Sequence, residues 1–378
     1  MFKKLAILAT IGVLAVSLFA GLSPGLTLAA GDIAVVSSTA TPQFPSSLAF
    51  SVKATSGASI TDVRLHYTVE RDSFVKVVTE EKLEFSPSTS VAAAYNWDMR
   101  QSGGLPAGTV VDFWWTISDS AGKSLTSPQQ KLSFDDTRFT WRTLKGSNIT
   151  LYWYSGNAAF AQTLMDTAQA GLVNLEKNTG ASLSRPVSIY IYNTADDMQG
   201  AMIFAQDWTG GATYPPYSTI VIGINSSNLD WGEGALVHEL THMVNYQMTA
   251  NPYNDLPTWL DEGLAMYSEG PLDSTFKVSL ITALAQDSFF TVRSMSSPFS
   301  TDAALSYLEY AQSYSLIDFL ISTYGEAKMA ALLATFHQGS TFDDALMKVY
   351  GFNMDGLYDL WLPFATQKYM PANSGATV

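Results

Sequence analysis

The segment His238-Glu239-Leu240-Thr241-His242 fits the pattern H-E-x-x-H, and its spacing constrains the local fold more than any other feature of the chain. Residues four apart on an α-helix lie on one face, about 6 Å apart along the axis, so two imidazoles with this spacing can reach one metal ion. The intervening Glu239 projects near the same point, where it can accept a proton. The pattern therefore predicts a helix on which His238 and His242 bind one Zn²⁺ ion and Glu239 acts as the general base.

The flanking residues also favour a helix at this position. Asp230 and Glu233 are spaced as in a capping box, so a helix is predicted to start here and to run over 232–249. One face of that helix is apolar and is expected to pack in the core: Leu236, Leu240, Met243 and Val244. The two histidines point away from that face, as a cleft requires. The competing interpretation is a pair of buried, hydrogen-bonded structural histidines.

The composition limits which side chains can complete a metal site. The 378-residue chain has no cysteine and four histidines, so the remaining ligands come from His, Asp or Glu. His66 lies on the polar side of a predicted strand and is expected to be an exposed surface residue. His337 ends a predicted helix and is expected to be structural. The formal net charge of −14 disfavours binding to the phosphate backbone of nucleic acids.

A catalytic zinc site needs three protein ligands and one open position, so the two histidines need a further ligand. Glu262 follows His242 by 20 residues, which leaves room for a helix end, a loop and a returning helix that starts near Pro257. Asp261 is the rival, because one helical step turns a side chain by about 100° and only one of the two can face the metal. Glu269 lies further along the chain and is expected to face solvent.

The motif His238-Glu-Leu-Thr-His242 and the later segment Trp259-Leu-Asp-Glu262-Gly-Leu-Ala resemble the gluzincin zinc metallopeptidases. That group includes the aminopeptidase N enzymes and, more similar to this chain, the bacterial peptidase MA-like domains. The resemblance covers Ile220–Gly325 and does not extend to the N-terminal region. It implies a peptidase with one zinc ion in which Glu262 is the third ligand. The gap between His242 and Glu262 is one residue longer than in the aminopeptidases, a difference that a loop absorbs.

The same resemblance implies a tyrosine on a later helix, whose hydroxyl stabilises the oxyanion. The segment Tyr307–Leu320 resembles that helix, and aligning its apolar run selects Tyr310. Tyr307 and Tyr314 lie one turn to either side and remain as alternatives. All three tyrosines could instead pack within the helical part of the domain.

One departure from the aminopeptidase pattern bears on the substrate. Those enzymes carry a G-x-M-E-N strand, whose Glu holds the free amine of the substrate. The matching region here is Gly210–Gly223, which contains no Glu. Within it, the strand Thr219–Gly223 is expected to bind an extended peptide through backbone hydrogen bonds. The missing carboxylate favours an endopeptidase over an aminopeptidase.

Residues 1–30 have the pattern of a signal peptide. Lys3 and Lys4 precede the apolar run Leu5–Leu22, and the small residues Ala29–Ala30 offer a cleavage site. An uncleaved membrane anchor is the alternative, because the run is nearly long enough to span a bilayer. Either way, the chain is predicted to be an exported bacterial protein, secreted or held at the cell surface.

The rest of the chain divides into two predicted domains and a short flexible tail at 371–378. Residues 31–136 show period-two alternation between turn signals, which predicts an all-β, immunoglobulin-like sandwich. Residues 138–370 predict an α+β metallopeptidase domain with a mostly helical C-terminal part. Its first elements are predicted as strands at 149–154, 187–191 and 218–223 and a helix at 158–177. The later helices are predicted near 232–249, 257–269, 274–287, 302–324, 326–337 and 341–350.

These features together predict a secreted zinc-dependent peptidase that cleaves a peptide or protein substrate with metal-activated water. One alternative is a non-catalytic extracellular binding or adhesion protein, in which the β domain binds a partner and the zinc site is a relic. Another is an enzyme that hydrolyses a different bond on the same scaffold. Glu239 discriminates against the first alternative, because a purely structural metal site has no use for it.

Overall fold

The computed structural model describes residues 31–205 and 210–370. The predicted signal peptide and the predicted tail therefore lie outside the described residues. Within them, a β-rich N-terminal region is followed by a mixed sheet and then by helices, as predicted. None of the helices in these two ranges combines the length and the apolar character needed to cross a membrane.

The N-terminal region forms an antiparallel sheet of seven strands. Its strands are β1 (Ala34–Gln43), β2 (Ser47–Val69), β3 (Thr79–Lys82), β4 (Ser88–Asp98), β5 (Thr109–Asp119), β6 (Ser124–Thr126) and β7 (Gln130–Phe134). The long strand β2 pairs with β1 and β4 along its first half and with β3 and β5 along its second half, with a register shift between Thr55 and Ile60. The alternating apolar residues of both halves are buried in one core.

His66 differs from its prediction as an exposed residue. Its Nε2 atom lies 2.9 Å from the Thr116 hydroxyl, and its ring stacks on that of Trp114 with the ring centres 5.4 Å apart. Trp114 is the cross-strand partner of His66 in the β2–β5 register. Directly opposite side chains on neighbouring strands contact each other, so the large indole covers the imidazole and leaves it half-buried.

The second sheet has five strands in the order β11-β12-β10-β9-β8. Its strands are β8 (Arg142–Lys145), β9 (Ile149–Trp153), β10 (Val187–Tyr192), β11 (Gly211–Tyr214) and β12 (Thr219–Gly223). Strands β9, β10 and β12 are parallel, whereas β11 is antiparallel to β12 and forms one edge. Helix α1 (Ala158–Thr179) connects β9 to β10, and the short α2 (Ala195–Gln199) follows β10.

This strand order corrects the expectation that Thr219–Gly223 binds an extended peptide. The backbone of β12 is already hydrogen-bonded to β10 on one side and to β11 on the other. A strand with both edges occupied has no free backbone groups for a ligand. Unlike β12, the neighbouring edge strand β11 pairs with a strand on one side only within the described residues.

Seven further helices follow in the described part of the chain. They are α3 (Leu229–Thr249), α4 (Thr258–Glu269), α5 (Ser274–Gln286), α6 (Ala303–Tyr324), α7 (Glu326–His337), α8 (Phe342–Tyr350) and α9 (Met354–Tyr369). The six predicted helices correspond to α3–α8 within three residues at each end. Helix α9 is absent from the prediction, because Gly351 and the internal Pro363 are both signals that normally end helices.

Helix α3 begins earlier than the predicted capping box requires. Its N-cap is Asn228, whose side chain makes no capping hydrogen bond, and Asp230 lies inside the first turn. Asp230 and Glu233 therefore do not cap the helix reciprocally. An acidic side chain in the first turn still stabilises the helix through the macrodipole.

Helix α3 lies between the second sheet and the other helices. Its residues Leu236, Leu240 and Met243 pack with the sheet and α1, whereas Val244 packs with α4 and α6. All four side chains are fully buried. Because α3 is held on two sides, the remaining face is fixed in direction towards β11 and α4, where the histidines lie.

Candidate metal centre and active-site cleft

Helices α3 and α4 bring the three predicted ligands together. One ligand atom from each of His238, His242 and Glu262 lies within 4.8 Å of the other two. The Nε2 atoms of His238 and His242 are 3.4 and 3.5 Å from Oε2 of Glu262. On the opposite side of α4, Leu260 and Leu264 are buried in the helical core. Burial of that face leaves Glu262 pointing towards α3.

The Oε2 atom of Glu262 provides a test of whether a metal fits here. It is buried and has no hydrogen-bond partner. An unpaired buried carboxylate oxygen is costly unless a cation satisfies it. Two imidazole nitrogens and one carboxylate oxygen are a ligand set that catalytic zinc sites use, with one position left open. The three residues therefore fit a zinc ion.

Two further carboxylates orient the imidazoles. The Nδ1 atom of His242 lies 2.9 Å from Oδ2 of Asp261, whose Oδ1 accepts a hydrogen bond from the Asn245 side chain at 2.7 Å. The Nδ1 atom of His238 lies 2.6 Å from Oε1 of Glu269. Carboxylates at the outer nitrogen fix the ring orientation and make the inner nitrogen a better ligand. Asp261 is thus engaged behind His242, and Glu262 faces the metal position.

Glu269 is exposed, as predicted, but its carboxylate also contacts His238, which the prediction did not include. Glu269 follows Glu262 by seven residues, which is two helical turns, so both side chains lie on the same face of α4. This spacing is a signal from which the role of Glu269 could have been predicted. Thr213 and Gly211 of β11, described below, have no comparable signal, because they meet the site only through the tertiary fold.

Neighbouring charges shift the pKa values of His238, His242 and Glu262 towards their charged forms. Burial by itself would lower the pKa of His238, but the neighbouring carboxylates of Glu262 and Glu269 outweigh it and raise the pKa to about 9. Burial likewise opposes protonation of His242, yet Asp261 and Glu262 raise its pKa well above the usual value. Burial would raise the pKa of Glu262, but the His242 and His238 imidazolium groups hold it well below its usual range.

Glu239 is held against the edge strand β11. The Thr213 hydroxyl lies 2.7 Å from Oε2 of Glu239 and 2.9 Å from its backbone oxygen. A Cβ atom added to Gly211 would lie 2.7 Å from Oε1 of Glu239, closer than side chains tolerate. The carboxylate therefore occupies a slot that exists only because residue 211 is glycine.

Glu239 lines two cavities, one on either side of it. A cavity of about 480 Å³ also contains His242, Glu262 and the residues Pro215 and Pro216. A second cavity of about 520 Å³ also contains His238 and Tyr310. The cleft therefore continues in both directions from the metal position.

The three candidate tyrosines of α6 have different surroundings. Tyr310 lines the second cavity and packs edge-on against Phe299. Tyr307 is largely exposed and packs against Phe276, and Tyr314 packs against Tyr267. Burial and the negative charges of Glu262 and Glu239 raise the pKa of Tyr310, so its hydroxyl stays protonated. His337 is exposed at the end of α7, outside the cleft.

Comparisons with known proteins identify a family and several similar solved structures. The sequence model of the Peptidase MA superfamily matches residues 167–367, more than half of the chain. A search of curated proteins found no match. Among solved structures, the chain is similar to the M1 zinc metallopeptidase from Deinococcus radiodurans, with 12% identity over 85% of this chain and 90% of that chain and a TM-score of 0.40. It is also similar to aminopeptidase A from Legionella pneumophila, with 10% identity over 87% of this chain and 50% of that chain and a TM-score of 0.41.

The family match contains all three ligands, Glu239 and Tyr310, so the site described above lies inside the matched region. The N-terminal β-rich region precedes it. The chain belongs to the Peptidase MA superfamily, as a zinc metallopeptidase of the gluzincin type.

Proposed function

We propose that the protein hydrolyses peptide bonds at this centre, with Glu239 as the general base. The proposal is carried by one observation: a buried Glu262 oxygen without a hydrogen-bond partner faces two imidazoles in the cleft that Glu239 lines. His238, His242 and Glu262 would hold the zinc. When bound, zinc supplies a Lewis acid that polarises the scissile carbonyl and activates water.

Residues of the chain itself would transfer the proton, stabilise the oxyanion and orient the imidazoles. The Thr213 hydroxyl orients the Glu239 carboxylate through Oε2, which leaves Oε1 to accept a proton from the attacking water. Glu239 then donates this proton to the nitrogen of the leaving amine. The neutral Tyr310 hydroxyl donates a hydrogen bond to the oxygen on which negative charge develops. Asp261 and Glu269 keep both imidazoles aimed at the metal position.

We propose that the enzyme is an endopeptidase. An aminopeptidase needs a closed end and an acidic group for the free amine of the substrate. Here the cleft continues on both sides of Glu239, and the edge strand β11 carries no acidic residue. An extended chain could pass through the cleft and pair with the open side of β11.

We propose that the protein acts outside the cytoplasm. The support is the pattern of residues 1–30, with two lysines, a long apolar run and small residues before position 31. Cleavage of this segment would release a secreted enzyme, and retention would hold it at the cell surface. The β-rich region is proposed to fold as an immunoglobulin-like sandwich, since the two halves of β2 pair with different strands around one core.

The test of the catalytic assignment is Glu239→Gln, measured with casein and a peptide library. We expect zinc content to stay the same and hydrolysis to fall by roughly 10²- to 10⁴-fold, because the amide cannot accept the proton. Glu233→Gln on the same helix is the matched control and should keep full activity. Full hydrolysis by Glu239→Gln would refute the role of this residue. A wild-type protein that binds zinc but cleaves no peptide would favour the alternative of a relic site.

A further inference from the structure

The second cavity of the cleft, on the His238 side of Glu239, has walls from four helices. Trp231 and Ala235 come from α3, Met266 from α4, Phe276 from α5 and Tyr310 from α6, and Gly211 of β11 closes one side. Its volume of about 520 Å³ is enough for a large side chain. We call this cavity the aromatic pocket.

The lining of the aromatic pocket is apolar except at its catalytic end. The polar groups there are already engaged, because Glu269 contacts His238 and Glu239 contacts Thr213. Trp231 lines the cavity and is 48% exposed. Burial of an apolar side chain in such a pocket is favourable, whereas a charged side chain would find no free counter-charge there.

The direction of β11 indicates which substrate residue enters the aromatic pocket. Gly211, at the start of β11, lines this pocket, whereas Pro215 and Pro216, just after its end, line the other cavity. Antiparallel pairing is the more stable arrangement for a peptide that joins an edge strand. A substrate that pairs in this way runs opposite to β11, so its residues after the scissile bond lie at the Gly211 end.

We propose that the aromatic pocket selects peptides with a large apolar or aromatic residue immediately after the scissile bond. This inference rests on the peptidase function proposed above. It assigns the substrate class, whereas the metal centre alone would cleave any accessible peptide bond.

The test uses the zinc-loaded full chain and a matched peptide series with Phe, Leu, Ala or Glu at one central position. Cleavage sites are mapped by mass spectrometry. We expect cleavage before Phe or Leu, with kcat/KM roughly tenfold or more above that for Ala and lowest for Glu. Equal cleavage of the Phe, Ala and Glu peptides would overturn the proposal. Selection for the residue before the scissile bond would also overturn it, because that residue would then occupy the pocket.

Substitutions at Trp231 and Phe276 test whether the pocket wall causes the preference for Phe over Ala. Trp231→Ala and Phe276→Ala should each reduce the Phe-to-Ala ratio severalfold, and Trp231→Arg should raise cleavage of the Glu peptide relative to the Phe peptide. Val278→Ala, on the same helix as Phe276 but 62% exposed and outside the pocket, is the control and should keep the wild-type ratio. An unchanged ratio in both Trp231 variants and in Phe276→Ala would refute the assignment.

Failure of the peptidase proposal would be recognised separately. If no peptide of the series or of a broad library is cleaved by protein with one bound zinc, the proposed function itself is wrong. If peptides are cleaved without preference for the residue after the scissile bond, the peptidase function is supported and the proposed role of the aromatic pocket is refuted.

Discussion

Gly211 has no side chain at the point where β11 approaches the Glu239 carboxylate. A Cβ atom there would lie 2.7 Å from Oε1 and 3.0 Å from Cδ of Glu239. The Glu239 carboxylate, the proposed general base, is therefore positioned by the backbone of β11 on one side and by the Thr213 hydroxyl on the other. Misplacement of a catalytic group by about 1 Å can cost roughly 100-fold in rate.

The substitution Gly211→Ala should lower kcat by roughly tenfold or more, because the added methyl displaces the Glu239 carboxylate. The metal ligands are on other elements, so zinc content measured by elemental analysis should not change. Steady-state hydrolysis of a peptide substrate is the measurement. Wild-type kcat in this variant would show that the slot tolerates a methyl group and that the close approach is unimportant.

The pKa shifts of the proposed zinc ligands predict how zinc binding depends on pH. The pKa of His238 is raised from 6.5 to about 9, so its proton stabilises the metal-free fold fully below pH 6.5 and this contribution is lost as pH rises through about 9. The pKa of Glu262 is lowered from 4.5, so its contribution is present above pH 4.5 and is lost as pH falls through its folded value. The metal-free protein should therefore be most stable between pH 4.5 and 6.5.

Zinc needs the unprotonated imidazoles and must displace these protons. The rise in Tm on adding zinc at a fixed free concentration should therefore grow between pH 6.5 and 9, and binding at pH 7 should release protons into the buffer. Thermal unfolding with and without zinc across this range checks the first point, and calorimetry in two buffers checks the second. His337→Gln, which changes a histidine outside the cleft, should leave both results unaltered. A zinc-induced shift that shrinks with rising pH would contradict the ionisation described here.

At the scale of secondary structure, the position of Glu262 depends on how closely α4 approaches α6. The residue after Glu262 is Gly263, and a Cβ atom there would lie 2.7 Å from both the Ser313 backbone oxygen and Cγ1 of Ile317. The two helices therefore touch through the glycine. Because the contact is to backbone, a larger residue could be accommodated only by moving α4.

The substitution Gly263→Ala should destabilise the protein by about 1–3 kcal/mol through overpacking, and it should weaken zinc binding because Glu262 moves with α4. Gly234→Ala on α3 is the matched helical control, since its nearest neighbour would be 3.8 Å away. That control should be neutral or stabilising by up to about 1 kcal/mol, from the better helix propensity of alanine. Chemical unfolding and a competition assay with a zinc chelator measure the two effects. Similar results for both variants would argue against a close α4–α6 contact.

At the scale of the whole molecule, the β-rich region packs on the face of the second sheet that α3 does not cover. Phe44 and Ala107 join the aromatic cluster around Tyr190 and Tyr192 on that face. Near the cleft, the Asp72 backbone N–H donates to the Pro216 oxygen at 2.6 Å, and the Asp72 side chain pairs with Arg185 at 2.7 Å. The N-terminal region is thus in contact with the turn that follows β11.

The packing of the β-rich region against Tyr190 of the second sheet predicts different effects for two glycines with the same backbone conformation. Gly108 and Gly122 have φ values of +81° and +80°, so alanine is strained at both. A Cβ atom on Gly108 would also clash with the Tyr190 hydroxyl, whereas one on Gly122 would meet open space. Gly108→Ala should therefore lower the unfolding free energy by about 1–3 kcal/mol more than Gly122→Ala does. Equal losses in chemical unfolding would mean that the two regions do not depend on this contact.

Features that follow from local periodicity could be predicted from the residues alone. The spacing of His238 and His242 required one helical face, and the apolar stripe of α3 indicated which face is buried, because the helical repeat fixes the direction of each side chain. Helix α9 could not be predicted in this way, since Pro363 locally contradicts a helix that tertiary packing of Trp361 and Leu357 stabilises.

The groups that surround the metal position depend on contacts between elements distant in sequence. Three such contacts each join residues more than 20 positions apart: Thr213 holds Glu239, Gly211 makes room for it, and β10 pairs with β12, which leaves β11 as the edge strand. Asp261 and Glu269 were visible as acids on α4, but their engagement with His242 and His238 required the packing of α4 against α3. Side-chain direction along one helix is a local property, whereas the distance between two elements is set by the packing of the whole core.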